Sequence, residues 1–337
     1  MEGLDRLRRK LSVVHVGEIF AQGQVQSSGV TAFDECMNGG LPEGKVIELY
    51  GDFSSGKSLL LYHAIAELQK EGGIPVLIDT EDALNAEWAR SIGISLEDMI
   101  YISPINTEEE VTIEFVFKEL EEFVKAWKAD DEIRQRPAIF AWDSVAATKS
   151  KEEGEGMDYK PEMAVRARVI SQMMRKVPSL VAGTKIIVIF VNQLRDKVGV
   201  MYGAKEDTPG GRAIKFHSHL RLKMKKGQKI WENKVCTGVM GEFSVEKSKV
   251  GRPFRFANFH MTFENGIEKY SGMKDLLIRE GRAVVAGSGW AKIGDFRFRD
   301  VNEEIWEQIK GLEVQGGENA NREGEEGSSG SEEEQSG

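Results

Sequence analysis

The stretch that decides the fold is Gly51-Asp52-Phe53-Ser54-Ser55-Gly56-Lys57-Ser58, which fits the P-loop pattern. An apolar strand, Val46 to Tyr50, comes directly before it, and an amphipathic helix, Ser58 to Lys70, comes directly after it. Backbone N–H groups of such a loop turn inward around phosphates, and the helix N-terminus adds its dipole. We therefore predict that all eight residues line a nucleotide site, with Lys57 at the β and γ phosphates and Ser58 holding Mg²⁺.

Apolar strands alternate with amphipathic helices between residues 45 and 225. Each predicted strand ends at a polar residue or a glycine, and the four clearest are Lys45 to Tyr50, Pro75 to Asp79, Ala138 to Asp143 and Lys185 to Val191. This alternation is typical of an α/β fold with a mostly parallel, twisted sheet flanked by helices. Ligands of such sheets collect beyond the carboxyl ends of the strands.

Polar residues at three of these strand ends are candidates for ATP hydrolysis. Asp143 suits the position from which a carboxylate orients Mg²⁺, and Glu81 lies where it could polarise an attacking water. Asn192 and Gln193 end another strand, where an amide could bond the γ-phosphate. Each residue alone is as readily a polar cap of a strand. Together, beside one P-loop, they favour catalysis.

The whole chain has 337 residues, of which 40% are hydrophobic, so it can bury a large core. Its start is charged, and no run is long and apolar enough to cross a bilayer, so we expect a cytoplasmic protein with no membrane partner. Cys36 and Cys236 lie far apart and lack His neighbours at metal-ligand spacing, which argues against a disulfide or a zinc site.

Composition divides the chain into four parts. We predict an N-terminal oligomerisation arm of a helix and a strand (1–40), an ATPase core (41–264), a small C-terminal α+β domain (265–312) and a disordered acidic tail (313–337). The tail carries −7 of the net charge of −10, so the remainder is nearly neutral and leaves room for basic patches.

The ordered motifs of the chain resemble the bacterial RecA recombinase family from about Gly29 to Gly294. Beyond the P-loop, the motifs are Gly40-Leu41-Pro42-x-Gly44, Asp79-x-Glu81-x-Ala83-Leu84, Asp143-Ser144-Val145-Ala146-Ala147, Ser171-Gln172-x-Met174-Arg175-Lys176, Asn192-Gln193-x-Arg195-x-Lys197-x-Gly199-Val200-Met201 and Gly210-Gly211. The resemblance implies a RecA-like P-loop ATPase core. It also implies an ATP-dependent recombinase that forms helical filaments on single-stranded DNA and exchanges strands with a homologous duplex. The corresponding roles are DNA recombination, repair and the SOS response, with a single-strand-binding protein or a loader as candidate partners.

The resemblance also implies roles for individual residues. Glu81 matches the family's water-activating glutamate, and Gln193 matches the glutamine that links the state of ATP to a DNA-binding loop. Lys247 and Lys249 match paired lysines that reach the ATP of the neighbouring subunit, whereas without the family they are only two basic residues on one side of a strand. Asn85 and Trp88 fall at positions near adenine.

Two loops are expected to bind DNA, a first loop near 150–163 and a second loop near 194–211, because long loops inside compact domains are usually functional. Arg168, Ser171 and Arg175 share one helix face by their spacing. The full set of candidate DNA-binding residues is Met163, Arg168, Ser171, Arg175, Arg195, Lys197, Val198, Gly210, Gly211 and Arg212.

Several residues depart from the family pattern, among them Asp82, Asp196 and most of 152–158. They leave open a diverged member of the family, for example a phage-borne one. Two other functions also stay open: a ring helicase built on the same core, although its separate N-terminal module is missing, and a non-catalytic mediator or regulator of recombinase filaments. Intact Glu81, Gln193, Lys247 and Lys249 weigh against the mediator.

Overall fold

The computed structural model describes residues 24–154, 162–196 and 206–313. Two compact units meet in sequence between Lys269 and Tyr270. None of the helices within the described residues is long and apolar enough to span a membrane.

The first unit contains thirteen strands among its described residues. Their bounds are β1 Val25–Gln26, β2 Leu41–Pro42, β3 Val46–Gly51, β4 Ile74–Asp79, β5 Ile100–Ile102, β6 Ala138–Asp143, β7 Ile186–Gln193, β8 Arg195–Asp196, β9 Glu206–Asp207, β10 Leu220–Glu232, β11 Val235–Ser248, β12 Phe256–Thr262 and β13 Gly266–Ile267. The helices are α1 Thr31–Cys36, α2 Lys57–Lys70, α3 Ala86–Ile92, α4 Ile113–Ala129, α5 Lys151–Gly154, α6 Glu162–Met174, α7 Val177–Val181 and α8 Arg212–His217, with a 3₁₀ turn at Ile133–Gln135.

Nine of these strands form one sheet, in the order β13-β12-β11-β10-β3-β7-β6-β4-β5. The six strands from β10 to β5 pair in parallel, and β10 to β13 form an antiparallel extension. This confirms the predicted α/β core with a mostly parallel sheet. Since parallel strands end at a common edge, β3, β4, β6 and β7 bring their last residues together.

The helix α4 packs against the sheet and stabilises the strands that form this edge. Its buried residues recur at helical spacing and include Val116, Leu120 and Val124. A cap fixes its start, because Thr112 Oγ1 accepts from the N–H of Phe115 at 3.2 Å. The aromatic rings of Trp142 on β6 and Phe190 on β7 meet edge to face at 5.7 Å beneath it. Burial of each such side chain contributes about 1.5–3 kcal/mol, so the two strand ends are firmly placed.

The second unit, taken by itself, is an α+β arrangement. It comprises α9 Met273–Arg279, the strands β14 Val284–Val285, β15 Ala291–Ile293 and β16 Phe296–Phe298 in one antiparallel sheet, and α10 over residues 303–313. Leu276, Leu277 and Phe298 are among its buried apolar residues. The predicted N-terminal arm is described only from residue 24, and of the predicted acidic tail only residue 313 belongs to the described residues.

Candidate active site

The P-loop connects β3 to α2 by a path that depends on glycine. A Cβ built on Gly51 would lie 1.9 Å from the carbonyl oxygen of Met224 on β10. Gly56 has φ of +91° and comes directly before the first residue of α2, in a conformation that side chains with a Cβ rarely adopt. The loop therefore passes close to the neighbouring strand and leaves its backbone free to face a ligand.

The ammonium of Lys57 is held at the inside of this loop. Its Nζ donates to the carbonyl oxygens of Asp52 at 2.6 Å and Gly51 at 3.2 Å. Burial lowers the pKa of Lys57, and the nearby carboxylates, Asp143 first, oppose that shift. The hydroxyl of Ser55 is buried and has no hydrogen-bond partner among the described residues. A buried cation beside an unused donor is a suitable lining for a phosphate group.

Ser58 and Asp143 lie together at the other side of the loop. The Ser58 hydroxyl donates to Asp143 Oδ2 at 2.6 Å. Burial, with smaller contributions from Asp79 and Glu81, raises the pKa of Asp143 to about 6. Hydroxyl and carboxylate oxygens are ligands that Mg²⁺ prefers, so this pair fits the ion. The peptide bond from Asp143 to Ser144 is cis.

Glu81 lies at the same edge, in a loop fixed by Asp79. The Asp79 carboxylate accepts backbone N–H groups from Glu81 at 3.1 Å, Ala83 at 2.8 Å and Leu84 at 2.9 Å. Glu81 Oε1 accepts from the hydroxyl of Ser144 at 2.7 Å, and the amide of Gln193 lies 3.4 Å away. The structure thus brings a carboxylate and an amide from different strand ends into one group.

The side chain of Asn192 has different partners from that of Gln193. Its side chain is fully buried, and Nδ2 lies 3.0 Å from the Pro209 carbonyl oxygen and 3.2 Å from Glu48 Oε1. Glu48 is fully buried, and Pro209 belongs to the returning end of the second loop. Of the two adjacent amides, only Gln193 therefore faces the Glu81 carboxylate.

A cavity of about 300 Å³ opens beside the P-loop, and its lining includes Trp88 together with Met261, Thr262 and Phe263. Asn85 caps α3 by accepting from the backbone N–H of Trp88 at 2.9 Å, and the Trp88 ring packs edge to face on Tyr62 at 6.1 Å. The sequence did not indicate residues 261–263, because they lie at and just after the end of β12, about 200 positions beyond the P-loop. The structure shows Phe263 to be 53% exposed, which is unusual for a large aromatic residue and marks this side of the cavity.

Comparison with known proteins decides the family. A family model described as the RecA N-terminal domain matches residues 1–268. The chain belongs to the RecA family. Similar relatives include the protein RecA of Chloroherpeton thalassium, 32% identical over 94% of this chain and 90% of its own, and that of Chlorobium chlorochromatii, 35% identical over 90% and 83%. The chromosomal protein RecA of Lactococcus lactis subsp. lactis is 35% identical over 89% of this chain and 78% of its own. The predicted family is confirmed, and with it a role in ATP-dependent DNA recombination and repair.

In this RecA family member, the residues of the first group predicted to face DNA lie on or just after one helix, and one of them is already ion-paired. Arg168 and Ser171 lie on α6, and Arg175 follows in the turn after the helix. The Arg168 guanidinium forms an ion pair with Glu152 on α5, and Arg166 pairs with Glu153 at 2.8 Å. Acidic residues at the start of the first loop therefore already occupy both arginines.

The second loop of this RecA family member is described at its two ends. The Arg195 guanidinium donates to the carbonyl oxygen of Ala146 at 3.4 Å. Gly210 and Gly211 both have positive φ and pack on α6, after which an exposed Arg212 begins α8. The predicted Lys197 and Val198, and the side chain of Met163, lie outside the described residues.

The paired lysines of this RecA family member cap the end of α8. Lys247 Nζ donates to the carbonyl oxygens of Lys215 at 2.6 Å and Phe216 at 2.9 Å, and Lys249 Nζ donates to that of Phe216 at 3.2 Å. Cations at a helix C-terminus are stabilised by its dipole. The two charges are thus held as a pair on the strand β11 and the residue after it.

Proposed function

We propose that the chain carries out the family role as a DNA-dependent ATPase, forming helical filaments on single-stranded DNA and pairing it with a homologous duplex. One observation supports this most directly: Lys57, the pair of Ser58 and Asp143, and the pair of Glu81 and Gln193 lie at one edge of the sheet. The second loop begins at the residue after Gln193. Hydrolysis or release of the γ-phosphate would therefore change contacts at the residue where the second loop starts.

The residues divide the chemistry of ATP hydrolysis among them. Backbone N–H groups of the P-loop and the Lys57 ammonium would hold the phosphates, while Ser58 and Asp143 would hold Mg²⁺. When bound, that ion neutralises charge on the β and γ phosphates. Glu81 would orient a water and accept its proton, and its contact with Ser144 at 2.7 Å keeps the carboxylate in place.

Gln193 connects this chemistry to DNA. It ends β7 directly beside Gly51, with which it is in register, and its amide lies 3.4 Å from Glu81. An amide in this place would bond the γ-phosphate and release it after hydrolysis. Lys247 and Lys249 would supply positive charge to the ATP of an adjacent subunit, as a trans-acting arginine does in other phosphoryl transfer enzymes.

The proposed domain organisation fits a protein that assembles into a filament. Residues 1–40 would pack on the adjacent subunit of the filament, 41–264 would form the ATPase core, and 265–312 would form the small C-terminal domain. Residues 313–337 would form an acidic tail. A single-strand-binding protein or a loader would assist assembly on DNA.

The test is the ATPase rate of the purified chain with and without single-stranded DNA. We expect turnover to rise when the DNA is added, and an unchanged rate would contradict the proposal. Electron microscopy with single-stranded DNA and a slowly hydrolysed ATP analogue separates the alternatives. Helical filaments support the recombinase, closed rings would indicate a helicase, and free particles would indicate a mediator. Strand exchange between a single-stranded circle and a homologous linear duplex then tests the pairing reaction itself.

A further inference from the structure

A buried charged cluster lies beneath the active site, in a place that the ATPase chemistry does not use. Glu48 on β3 is fully buried, and its Oε2 accepts from Arg221 Nε on β10 at 2.6 Å. The Arg221 guanidinium stacks over the ring of Tyr50 at 4.3 Å, and Asn192 Nδ2 lies 3.2 Å from the other carboxylate oxygen of Glu48. We call Glu48, Arg221 and Asn192 the Glu48 node.

Stability alone does not explain this cluster. Taking two charges out of water costs several kcal/mol per ion, roughly as much as their attraction returns, and packed apolar residues are often as stable or more so. A buried ion pair does fix geometry, because each partner must stay opposite the other. The question is therefore which parts of the molecule the Glu48 node holds in register.

The Glu48 node joins three strands that the proposed reaction uses. Glu48 belongs to β3, which leads into the P-loop, and Asn192 belongs to β7, which ends at Gln193. Arg221 on β10 is in register with Glu48 on one side and with Lys247 of β11 on the other. The node thus links the phosphate-binding strand, the strand of the γ-phosphate sensor and β10, which in turn pairs with the strand of the paired lysines.

Asn192 adds a fourth element, the returning end of the second loop. Its Nδ2 lies 3.0 Å from the carbonyl oxygen of Pro209, directly before Gly210 and Gly211. The outgoing end of the same loop is also fixed, because the N–H of Leu194 donates to the carbonyl oxygen of Gly51 at 3.1 Å. Both ends of the loop are therefore anchored at the end of β7, one to the P-loop and one to the Glu48 node.

We propose that Asn192, Glu48 and Arg221 are positioning residues that hold the returning end of the second loop, and the lysine strand, against the ATPase sheet. This inference rests on the proposed DNA-dependent ATPase. Without the Asn192 amide, the Pro209 end of the loop loses its anchor, while the P-loop, Ser58, Asp143 and Glu81 keep theirs. DNA then acts less effectively on the active site, although nucleotide still binds.

The main variant is Asn192→Leu, which keeps roughly the size of the side chain and removes its three hydrogen bonds: the two that Nδ2 donates and the one that Oδ1 accepts from the N–H of Gln193 at 3.0 Å. Thr184→Val is the matched control, because Thr184 is also buried and lies at the opposite end of β7. Its hydroxyl donates to the carbonyl oxygen of Val181 at 2.7 Å and accepts from the N–H of Ile186 at 3.1 Å. Both variants lose buried hydrogen bonds near the same strand, but only Asn192→Leu frees the loop.

The measurement is ATPase rate against single-stranded DNA concentration, with binding of a fluorescent ATP analogue measured without DNA. For Asn192→Leu we expect the DNA concentration that gives half-maximal stimulation to rise about tenfold. The affinity for the analogue and the KM for ATP should change by less than about twofold. Thr184→Val should lower the thermal unfolding midpoint and leave the DNA dependence unchanged.

Equal DNA dependence in Asn192→Leu and Thr184→Val would overturn the inference, since the node would then be only a polar part of the core. If Asn192→Leu does not fold, Asn192→Ala carries the test, because it removes the same hydrogen bonds and leaves the ion pair of Glu48 with Arg221 intact. An unchanged DNA dependence in that variant would equally overturn the inference. The proposed function fails separately, if the unmodified chain does not respond to DNA.

Discussion

Single side chains decide what the nucleotide site can bind. The Lys57 ammonium is already directed into the P-loop by the carbonyl oxygens of Gly51 and Asp52. Because Lys57 is buried, a bound phosphate would displace little water from its ammonium. A charge-assisted contact with a phosphate would be correspondingly strong. No other side chain of the P-loop carries a positive charge.

Replacing Lys57 with alanine should weaken binding of a fluorescent ATP analogue by at least about tenfold and abolish nucleotide-dependent filaments. Lys70→Ala is the control, since Lys70 lies at the far end of the same helix and forms an exposed pair with Glu67 at 2.6 Å. Equal losses in the two variants would point to damage of the helix and would remove Lys57 from the site.

The ion pair of Glu152 with Arg168 predicts a second effect at residue scale. A DNA phosphate has to displace this carboxylate before it can contact Arg168, so Glu152→Gln should strengthen binding to a single-stranded oligonucleotide. The gain should be about two- to fivefold at low salt, because both side chains are partly exposed, and smaller at high salt. Glu109→Gln, which removes a comparable exposed pair with Lys118, should leave the affinity unchanged. Weaker binding in Glu152→Gln would show that Arg168 does not meet the phosphates.

At the scale of elements, local patterns predicted the parallel strands well. The strand Ala138 to Asp143 was predicted to the residue, and β3 differs from its prediction by one position at each end. These strands are buried on both faces, so they appear in the sequence as unbroken apolar runs between polar ends. The P-loop and the residues Asp143, Glu81 and Gln193 could be placed for the same reason.

Contacts between distant elements could not be predicted from one sequence. Phe263 reaches the P-loop cavity from the end of β12, and Asn192 turns toward Glu48, 144 positions earlier. Both depend on which strands become neighbours in the sheet, which apolar periodicity does not determine. The pairing of Arg168 with Glu152 was missed as well, because it depends on how α5 and α6 meet.

His63 on α2 should make the free energy of unfolding depend on pH. Its Nε2 accepts from the N–H of Ile267 at 2.9 Å, and burial lowers the pKa of His63 to about 4. An unfolded histidine titrates near 6.5, so this contribution is complete above about pH 6.5 and is lost as the pH falls towards 4. The corresponding loss approaches roughly 3 kcal/mol of unfolding free energy.

His63→Gln keeps an acceptor for the Ile267 N–H but does not titrate. Urea unfolding at several pH values should therefore show a smaller fall in stability between pH 6.5 and 4 for this variant than for the unmodified chain. The difference between the two chains is the quantity to compare, because His219, with its pKa lowered to about 4, and Asp34 and Asp143, with theirs raised to about 6, act in opposite directions in both. Identical slopes would show that His63 is not buried in its neutral form.

At the scale of the assembled filament, Lys249 should act on a neighbour. We expect Lys249→Ala to bind the ATP analogue normally as a monomer and to lose most DNA-dependent turnover, since its charge would complete the site of an adjacent subunit. Mixing Lys249→Ala with Lys57→Ala should restore part of the activity. Some junctions would then combine an intact Lys57 with an intact Lys249. Normal turnover of Lys249→Ala alone would contradict action in trans.

The buried pair of Glu48 and Arg221 has a consequence for how this sequence can drift over generations. Losing either partner alone would leave an uncompensated charge in the interior. This would lower the free energy of unfolding by about 3–5 kcal/mol, a large fraction of the stability of a typical protein. Substitutions at Glu48 and Arg221 are therefore tolerated only when both residues change together, or when Asn192 changes with them. Divergent descendants of this chain should keep the trio whole or have exchanged it whole.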